Sequence, residues 1–285
     1  MARGLDIGQF QQLPIAQMIE GGVQLAAGRR QLFLPTHLVP TNAEVGSLVE
    51  VFVYADHEGE PQATTHVPVA VVGEFAYCPC VAVTRAGAFV SWGIPKDLYV
   101  PPDEQVERMV EGRSYVVAVC LDKKGQRPIG STDLRRHFDY HVEHLEPDDE
   151  VELLVVGPSD VGVQVVVERR HRGLIHPNEL HRALRPGDEL RGFIRNVRYD
   201  NRLDIALSRR GLDAITDAQT VILEALRDAG GFLPLHDRSA PSEIERTLGL
   251  SKKAFKRGAG GLYKARKISI DDDGIRLVTV ASRRP

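Results

Sequence analysis

Between Arg246 and Ile270 the chain carries seven cations and no acid: Lys252, Lys253, Lys256, Arg257, Lys264, Arg266 and Lys267. A run of one sign suits phosphate contact, which positions a nucleic acid without reading its bases. A second basic group, Arg169-Arg170-His171-Arg172, reads as a β-turn. With Arg195, Arg198 and Arg202 on neighbouring strands it makes an edge that follows phosphates, against a solvated surface as the competing reading. Near the start, Arg29, Arg30, Phe33 and His37 put charge beside a ring, as an unpaired strand requires; the alternative is a solvated loop over a core phenylalanine.

Other reactive residue types lead less far. His137, His141 and His144 recur at i, i+4 and i+7, one face of a helix, with Asp139 and Glu143 nearby. They offer metal-ligand types, but a polar linker helix is the preferred reading. Cys78 and Cys80 alternate along a strand and, with Cys120, lack the fourth ligand of a zinc site, so they read as buried free thiols. The chain has no Gly-rich phosphate loop, no recognisable nucleophile motif and no dense carboxylate cluster. Asp271-Asp272-Asp273 fits a turn. The expectation is a binding protein with no enzymatic activity, no cofactor and no metal.

The elements that position these residues come in repeats. Three copies begin Gly22-Val23-Gln24-Leu25, Gly87-Ala88-Phe89-Val90 and Gly162-Val163-Gln164-Val165. Each continues to an x-Pro-x-x-Leu segment, at Pro35–Leu38, Pro95–Leu98 and Pro177–Leu180. In each, a glycine then opens a β-rich run to an aspartate and a polar turn, and a short strand closes on Ser or Thr. These runs are Gly46–Asp56–Thr65, Gly112–Asp122–Ser131 and Gly187–Asp200–Ser208, with Asp56-His57-Glu58-Gly59 as the first of the turns. About five short strands in roughly 60–70 residues suit a small closed barrel. Barrels are expected over 5–72, 74–136 and 150–212. In the second, Pro101-Pro102-Asp103 starts a short helix ending near Gly112, with Val106, Met109 and Val110 inward.

From residue 213 the pattern changes to helices. Val221, Ile222, Ala225, Leu226 and Ala229 have helical spacing, Ser242 caps a second helix and Ser251 a third. A hairpin follows, Lys267–Ile270 and Ile275–Val278, around an Asp-Gly turn. Three helices and a two-stranded wing make a winged helix over 213–285, although Gly258, Gly260 and Gly261 are expected to interrupt its third helix. Charge divides the same way. The chain has a net charge of −3, while residues 217–285 hold thirteen Lys/Arg against nine Asp/Glu, or +4, which leaves −7 for the rest. Nucleic-acid binding by the barrels must therefore rest on local patches and be salt-sensitive.

The Gly87–Val90 segment, the Pro-x-x-Leu segment, the Gly-led strand and Asp122 to Ser131 resemble the S-one-type RNA-binding domain, an OB-fold barrel. Three such barrels before a winged helix resemble the bacterial conserved virulence factor B family. The resemblance implies that Phe89 stacks a base and Arg127 reaches the backbone, helped by Tyr77, Trp92 and Lys96. It implies that His176 is the matching histidine of the third copy. Gln24 and Gln164 stand where the pattern has an aromatic, Ala86 where it has a second one, and Asp204 where it has the arginine.

The fold class expected is therefore mainly β, three tandem OB barrels plus a C-terminal winged helix. The function expected is a cytoplasmic RNA-binding protein that regulates gene expression after transcription, with single-stranded RNA as partner. No apolar run approaches a membrane span, and Met1-Ala2-Arg3-Gly4-Leu5-Asp6 lacks a signal-peptide core. Two competing classes are a double-stranded DNA-binding transcription regulator acting through the winged helix, and a protein scaffold of the transcription or translation machinery.

Overall fold

A computed structural model of the 285-residue chain describes residues 5–56, 58–180, 183–208 and 213–278. The first barrel has β1 (Gln9–Ile19), β2 (Gly22–Ala27), β3 (Arg30–Pro35), β4 (Leu48–Ala55) and β5 (Pro61–Thr64), in the order β3-β2-β1-β4-β5. The second repeats that order with β6 (Phe75–Val83), β7 (Ala88–Val90), β8 (Leu98–Val100), β9 (Ser114–Leu121) and β10 (Pro128–Ser131). In both, the two outer strands of the sheet lie against one another. The third, β11 (Glu150–Ser159), β12 (Gly162–Val167), β13 (His171–Ile175), β14 (Glu189–Val197) and β15 (Leu203–Ala206), closes through a parallel β13–β15 pair.

The first strand of each barrel serves two partners. β1 pairs β4 through Gln9–Pro14 and β2 through Ile15–Ile19, with a bulge between Ile15 and Gln17. Matching irregularities fall at Cys80/Ala82 and Val155/Gly157. An extra residue bends a strand, which is how one strand turns the corner of a small barrel. Alternate residues then face inward, as with Val163, Val165 and Val167 of β12, all buried. The opening glycines are needed where strands approach closely. A Cβ at Gly22 would lie 2.2 Å from the Leu34 carbonyl oxygen, and one at Gly162 2.2 Å from that of Ile175.

The recurrent aspartates build the turns. Asp56 Oδ1 accepts from the Glu58 and Glu60 amides, both at 2.9 Å, and Asp122 Oδ1 accepts from Gln126 at 2.8 Å. His57 of the first turn lies outside the described residues.

Three sequence expectations fail here for local reasons. The helix after Pro101 is a single 3-10 turn, Pro102–Glu104. Side chains take the amides a helix needs: Thr132 Oγ1 accepts from Val106, Gln105 Oε1 from Met109 and the Tyr115 hydroxyl from Val110. Met109 is buried, whereas Val106 and Val110 are exposed. The linker histidines share no helix. His137 approaches buried Glu104 at 3.7 Å, His141 bonds Asp139 at 2.8 Å, and the His144 ring lies 5.5 Å from that of His171. The repeat alignment also shifts. Ala88 pairs Val100 as Val23 pairs Leu34, so the counterpart of Pro35 is Pro101, not Pro95, and Trp92–Asp97 is an extra loop.

The three barrels form one compact unit ending at Leu207. Phe52 of the first meets the Trp92 edge at 5.5 Å, and Phe75 of the second stacks on Phe138 at 4.8 Å among Leu134, Leu154 and Val166.

Residues 208–285 form the second unit. It has α1 (Asp213–Asp228), β16 (Phe232–Leu233), α2 (Pro241–Leu248), α3 (Lys252–Lys264), β17 (Ile268–Asp271) and β18 (Gly274–Leu277). β16 adds a third strand to the wing beside β18, where Gly274 passes close to the Leu233 carbonyl. The turn of the wing is Asp272-Asp273 and Gly274 starts β18, so the Asp-Gly pair is not itself the turn. Ala240 with Pro241 at N1 opens α2, so Ser242 lies inside that helix; Ser251 does cap α3, its hydroxyl accepting from Ala254 at 3.3 Å. α3 runs unbroken through its glycines. Gly258 faces α1, where a Cβ would come within 2.9 Å of the Ala218 Cβ, so this glycine lets two helices close together.

Candidate nucleic-acid interface

β7 carries Phe89 between buried Ala88 and Val90, which turns its ring outward and half-buries it. Phe89 pairs Tyr99 of β8 across the strands, with ring centroids 5.4 Å apart and planes tilted by 43°. Tyr99 lies over Gly87, where a Cβ would meet the ring at 2.6 Å, and its hydroxyl donates to the Ala86 carbonyl at 2.5 Å. The sequence reading missed Tyr99. Its signal was the alternation Leu98-Tyr99-Val100, which points the tyrosine to the face that Phe89 occupies.

Phe89 and Tyr99 line a cavity of about 270 Å³ together with Lys96 and the exposed Arg127. Arg127 makes no ion pair with any described residue. Burial pushes the Lys96 amine down, Asp56 opposes that shift and Arg127 reinforces it. Lys96 Nζ donates to the Ala55 carbonyl, so it holds the cavity wall as well as charging it. Trp92 also touches this cavity, but only 2% of it is exposed and its Nε1 donates to the Lys96 carbonyl at 2.6 Å. Trp92 is a core residue joining two barrels, not a stacking platform. Tyr77 is not at this site at all: its ring packs against Gly187 of the third barrel, where a Cβ would meet it at 2.3 Å.

The other faces differ at the equivalent positions. In the first barrel Gln24 pairs Phe33, 42% exposed, and the exposed Arg29 and His37 flank the same strands; Arg30 pairs Glu60 at 3.4 Å. In the third barrel Gln164 pairs Leu174, so no ring is presented. Its expected basic edge is neutralised. Arg198 lies 2.6 Å and His176 3.1 Å from the same Asp204 oxygen, Arg195 meets Glu179 at 3.1 Å, and Arg202 meets Asp200 at 3.2 Å. Burial acts to raise the Asp204 carboxyl, but hydrogen bonds from Arg198 and His176 hold it below its ordinary value. Arg170 pairs Glu74 of the second barrel at 3.0 Å, and Arg169 donates to the Val69 carbonyl, so this turn fastens barrels together. Arg172 stays half-buried on β13. Tyr199, absent from the sequence expectations, stands fully exposed at the tip of the β14–β15 turn between Arg198 and Arg202.

On α3, Lys253, Arg257 and Lys264 are exposed on one face, continued by Arg266 and Lys267. Lys252 donates to the Ser239 carbonyl at 2.9 Å, and Lys256, though exposed, pairs Asp237 at 3.4 Å. The wing tip is acidic, with Arg276 tied to Asp271 and Asp273 and set over the Phe232 ring at 4.1 Å. Among the described residues no cluster of three or more His, Cys, Asp or Glu has metal-binding geometry. Cys78 and Cys80 are buried free thiols and Cys120 a half-buried one; burial raises Cys78 and Cys120 to about 12.

Family models match the first barrel and the helical unit. An S1 domain model matches residues 7–66, and a CvfB-like winged helix domain model matches 220–277. The uncharacterized protein YitL of Bacillus subtilis is 28% identical, over 92% of this chain and 90% of its own length. Conserved virulence factor B of Staphylococcus haemolyticus is 24% identical, over 82% of this chain and 81% of its own. A multidomain protein with nucleic acid binding domains from Streptococcus pneumoniae is similar at 26% identity, over 96% of this chain and 99% of its own, with a TM-score of 0.42. An OB barrel of the S1 kind is a nucleic-acid-binding module, and the face described above has the groups such binding uses.

Proposed function

We propose that this chain, which matches an S1 domain model and a CvfB-like winged helix domain model and is similar to conserved virulence factor B, binds single-stranded RNA and regulates gene expression after transcription. It acts in the cytoplasm, without catalysing a reaction of its own. The observation that carries this reading is the Phe89–Tyr99 ring pair beside Arg127 and Lys96. Rings stack on any unpaired base, at about 1–3 kcal/mol each, and a duplex keeps its bases out of reach of such a surface. The guanidinium then takes the adjoining phosphate.

The exposed cations of α3 add a salt-sensitive anchor. They also favour a second reading, duplex DNA held by the winged helix, because α3 is an unbroken helix of thirteen residues. The acidic wing weighs against it, since a negatively charged tip repels the phosphates beside a groove.

Competition decides between them. With a fluorescent single-stranded RNA bound at low salt, unlabelled single-stranded RNA should displace it at far lower concentration than duplex DNA. Preferential displacement by duplex DNA would favour the second reading.

A further inference from the structure

The cavity beside Phe89 is walled by two barrels. One side is the second-barrel face, Phe89 and Tyr99 with Lys96 and Arg127; the other is the end of β4 in the first barrel, Tyr54 and Asp56. The two sides are fixed to each other. Tyr54 stacks over Phe52 at 6.4 Å with planes 11° apart, and Phe52 meets the Trp92 edge. Lys96 spans the seam to the Ala55 carbonyl. Across the same seam the Arg127 guanidinium lies over Gly59, where a Cβ would come within 3.1 Å.

The size and chemistry of this space select an occupant. Its volume of about 270 Å³ falls just short of the range of small-molecule sites, roughly 300–1,000 Å³, which suits one planar ring system and nothing larger. Aromatic side chains line it from both barrels, and Lys96, Asp56 and the exposed Arg127 line it as well, close enough for their charges to act on one another. Burial and then the charge of Asp56 push the Tyr54 hydroxyl up, so that group stays a neutral donor. A neutral heteroaromatic ring with donors and acceptors on its edge and an anion attached meets every one of these features. That is a nucleobase with its phosphate.

We infer that one unpaired base enters between Tyr54 of the first barrel and the Phe89–Tyr99 pair of the second, which makes Tyr54 a binding residue supplied by a neighbouring repeat. The inference rests on the single-stranded RNA reading above and extends it: the first two barrels share one base slot and bind as a pair.

Trp92 is the chain's sole tryptophan and borders the slot, so its emission reports entry of a base, while anisotropy of a labelled RNA reports binding anywhere. With a short single-stranded RNA at low salt, wild type should show both signals at the same RNA concentration. Tyr54→Ala should lose roughly 5- to 150-fold in affinity and lose the Trp92 change, whereas Tyr54→Phe keeps the stack and the Trp92 change and gives up only the hydroxyl's hydrogen bond. If circular dichroism shows that Tyr54→Ala does not fold, Tyr54→Leu keeps the apolar packing and should show the same loss. Should the Tyr54 variants bind and quench like wild type while Phe89→Ala does neither, the two-barrel slot is wrong and the RNA reading stands. Should Phe89→Ala also bind undiminished, the RNA reading itself fails and the slot with it.

Discussion

The second and third barrels share one strand order and place the same register positions outward, yet their faces have opposite character. At the β2–β3 equivalent, the second barrel sets Phe89 against Tyr99 and the third sets Gln164 against Leu174. Beside the rings, Arg127 makes no ion pair with a described residue. Beside Leu174, Asp204 takes up both Arg198 and His176. The Asp204 carboxylate takes up both cations, so the third barrel satisfies internally what the second leaves unpaired. The lesson is that the number of cations on a face says little about binding until their partners are known. The third barrel is the richer in arginine and the poorer in available charge.

Variants put that contrast to the test. The largest effect falls on stability and separates core rings from surface rings. Trp92→Ala should cost about 3–5 kcal/mol in urea unfolding, because it empties the joint between two barrels, while Phe89→Ala on the open face should cost far less. Equal losses would mean that Phe89 is structural too.

Next comes packing in the winged helix. Gly258→Leu drives a side chain into Ala218 and Ile222 and should lower stability by about 1–3 kcal/mol, read from the urea midpoint. A neutral result would show that α1 and α3 do not pack as described.

Asp204→Asn tests the contrast between the faces directly. It frees Arg198 and His176, so RNA affinity at low salt should rise and the salt slope should steepen by about 0.7 for each new phosphate contact. The folded Asp204 carboxyl titrates below its ordinary value, so its stabilising pairs persist at neutral pH. They are lost only as pH falls through that lowered value. Acid unfolding of the variant should lack this step. Unchanged affinity would leave the third face irrelevant to RNA.

The smallest effect is a gain. Gly260 faces open space on α3, so Gly260→Ala should add about 0.5–1 kcal/mol, seen as a higher midpoint of the same transition that Gly258→Leu lowers.

Much of the architecture was legible because its causes are local. A glycine passing under a neighbouring carbonyl, an aspartate folding its own turn and alternating valines recur in all three copies, and each is visible within a few residues. Phe89 and Arg127 were singled out by resemblance to the S-one-type pattern, and the structure sets both on one cavity. What escaped depends on partners far along the chain. Tyr99 was hidden because the Trp92–Asp97 loop displaces β8, letting Pro95–Leu98 imitate a segment whose true counterpart starts at Pro101. The ion pairs of Arg170, Arg195 and Arg198 join residues that only folding brings together. The glycines of α3 show the same limit: propensity alone marks Gly258 as a break, and only the approach of α1 shows it to be a contact.

On the proposed function, the Phe89–Tyr99 face binds an unpaired strand and the matching Gln164–Leu174 face does not. Anisotropy with one labelled single-stranded RNA at low salt, comparing Phe89→Ala with Gln164→Ala, tests it most directly. Phe89→Ala should lose roughly 5- to 150-fold, one base stack of about 1–3 kcal/mol, and Gln164→Ala should keep wild-type affinity. Equal affinities of the two variants, or a loss confined to Gln164→Ala, would contradict it.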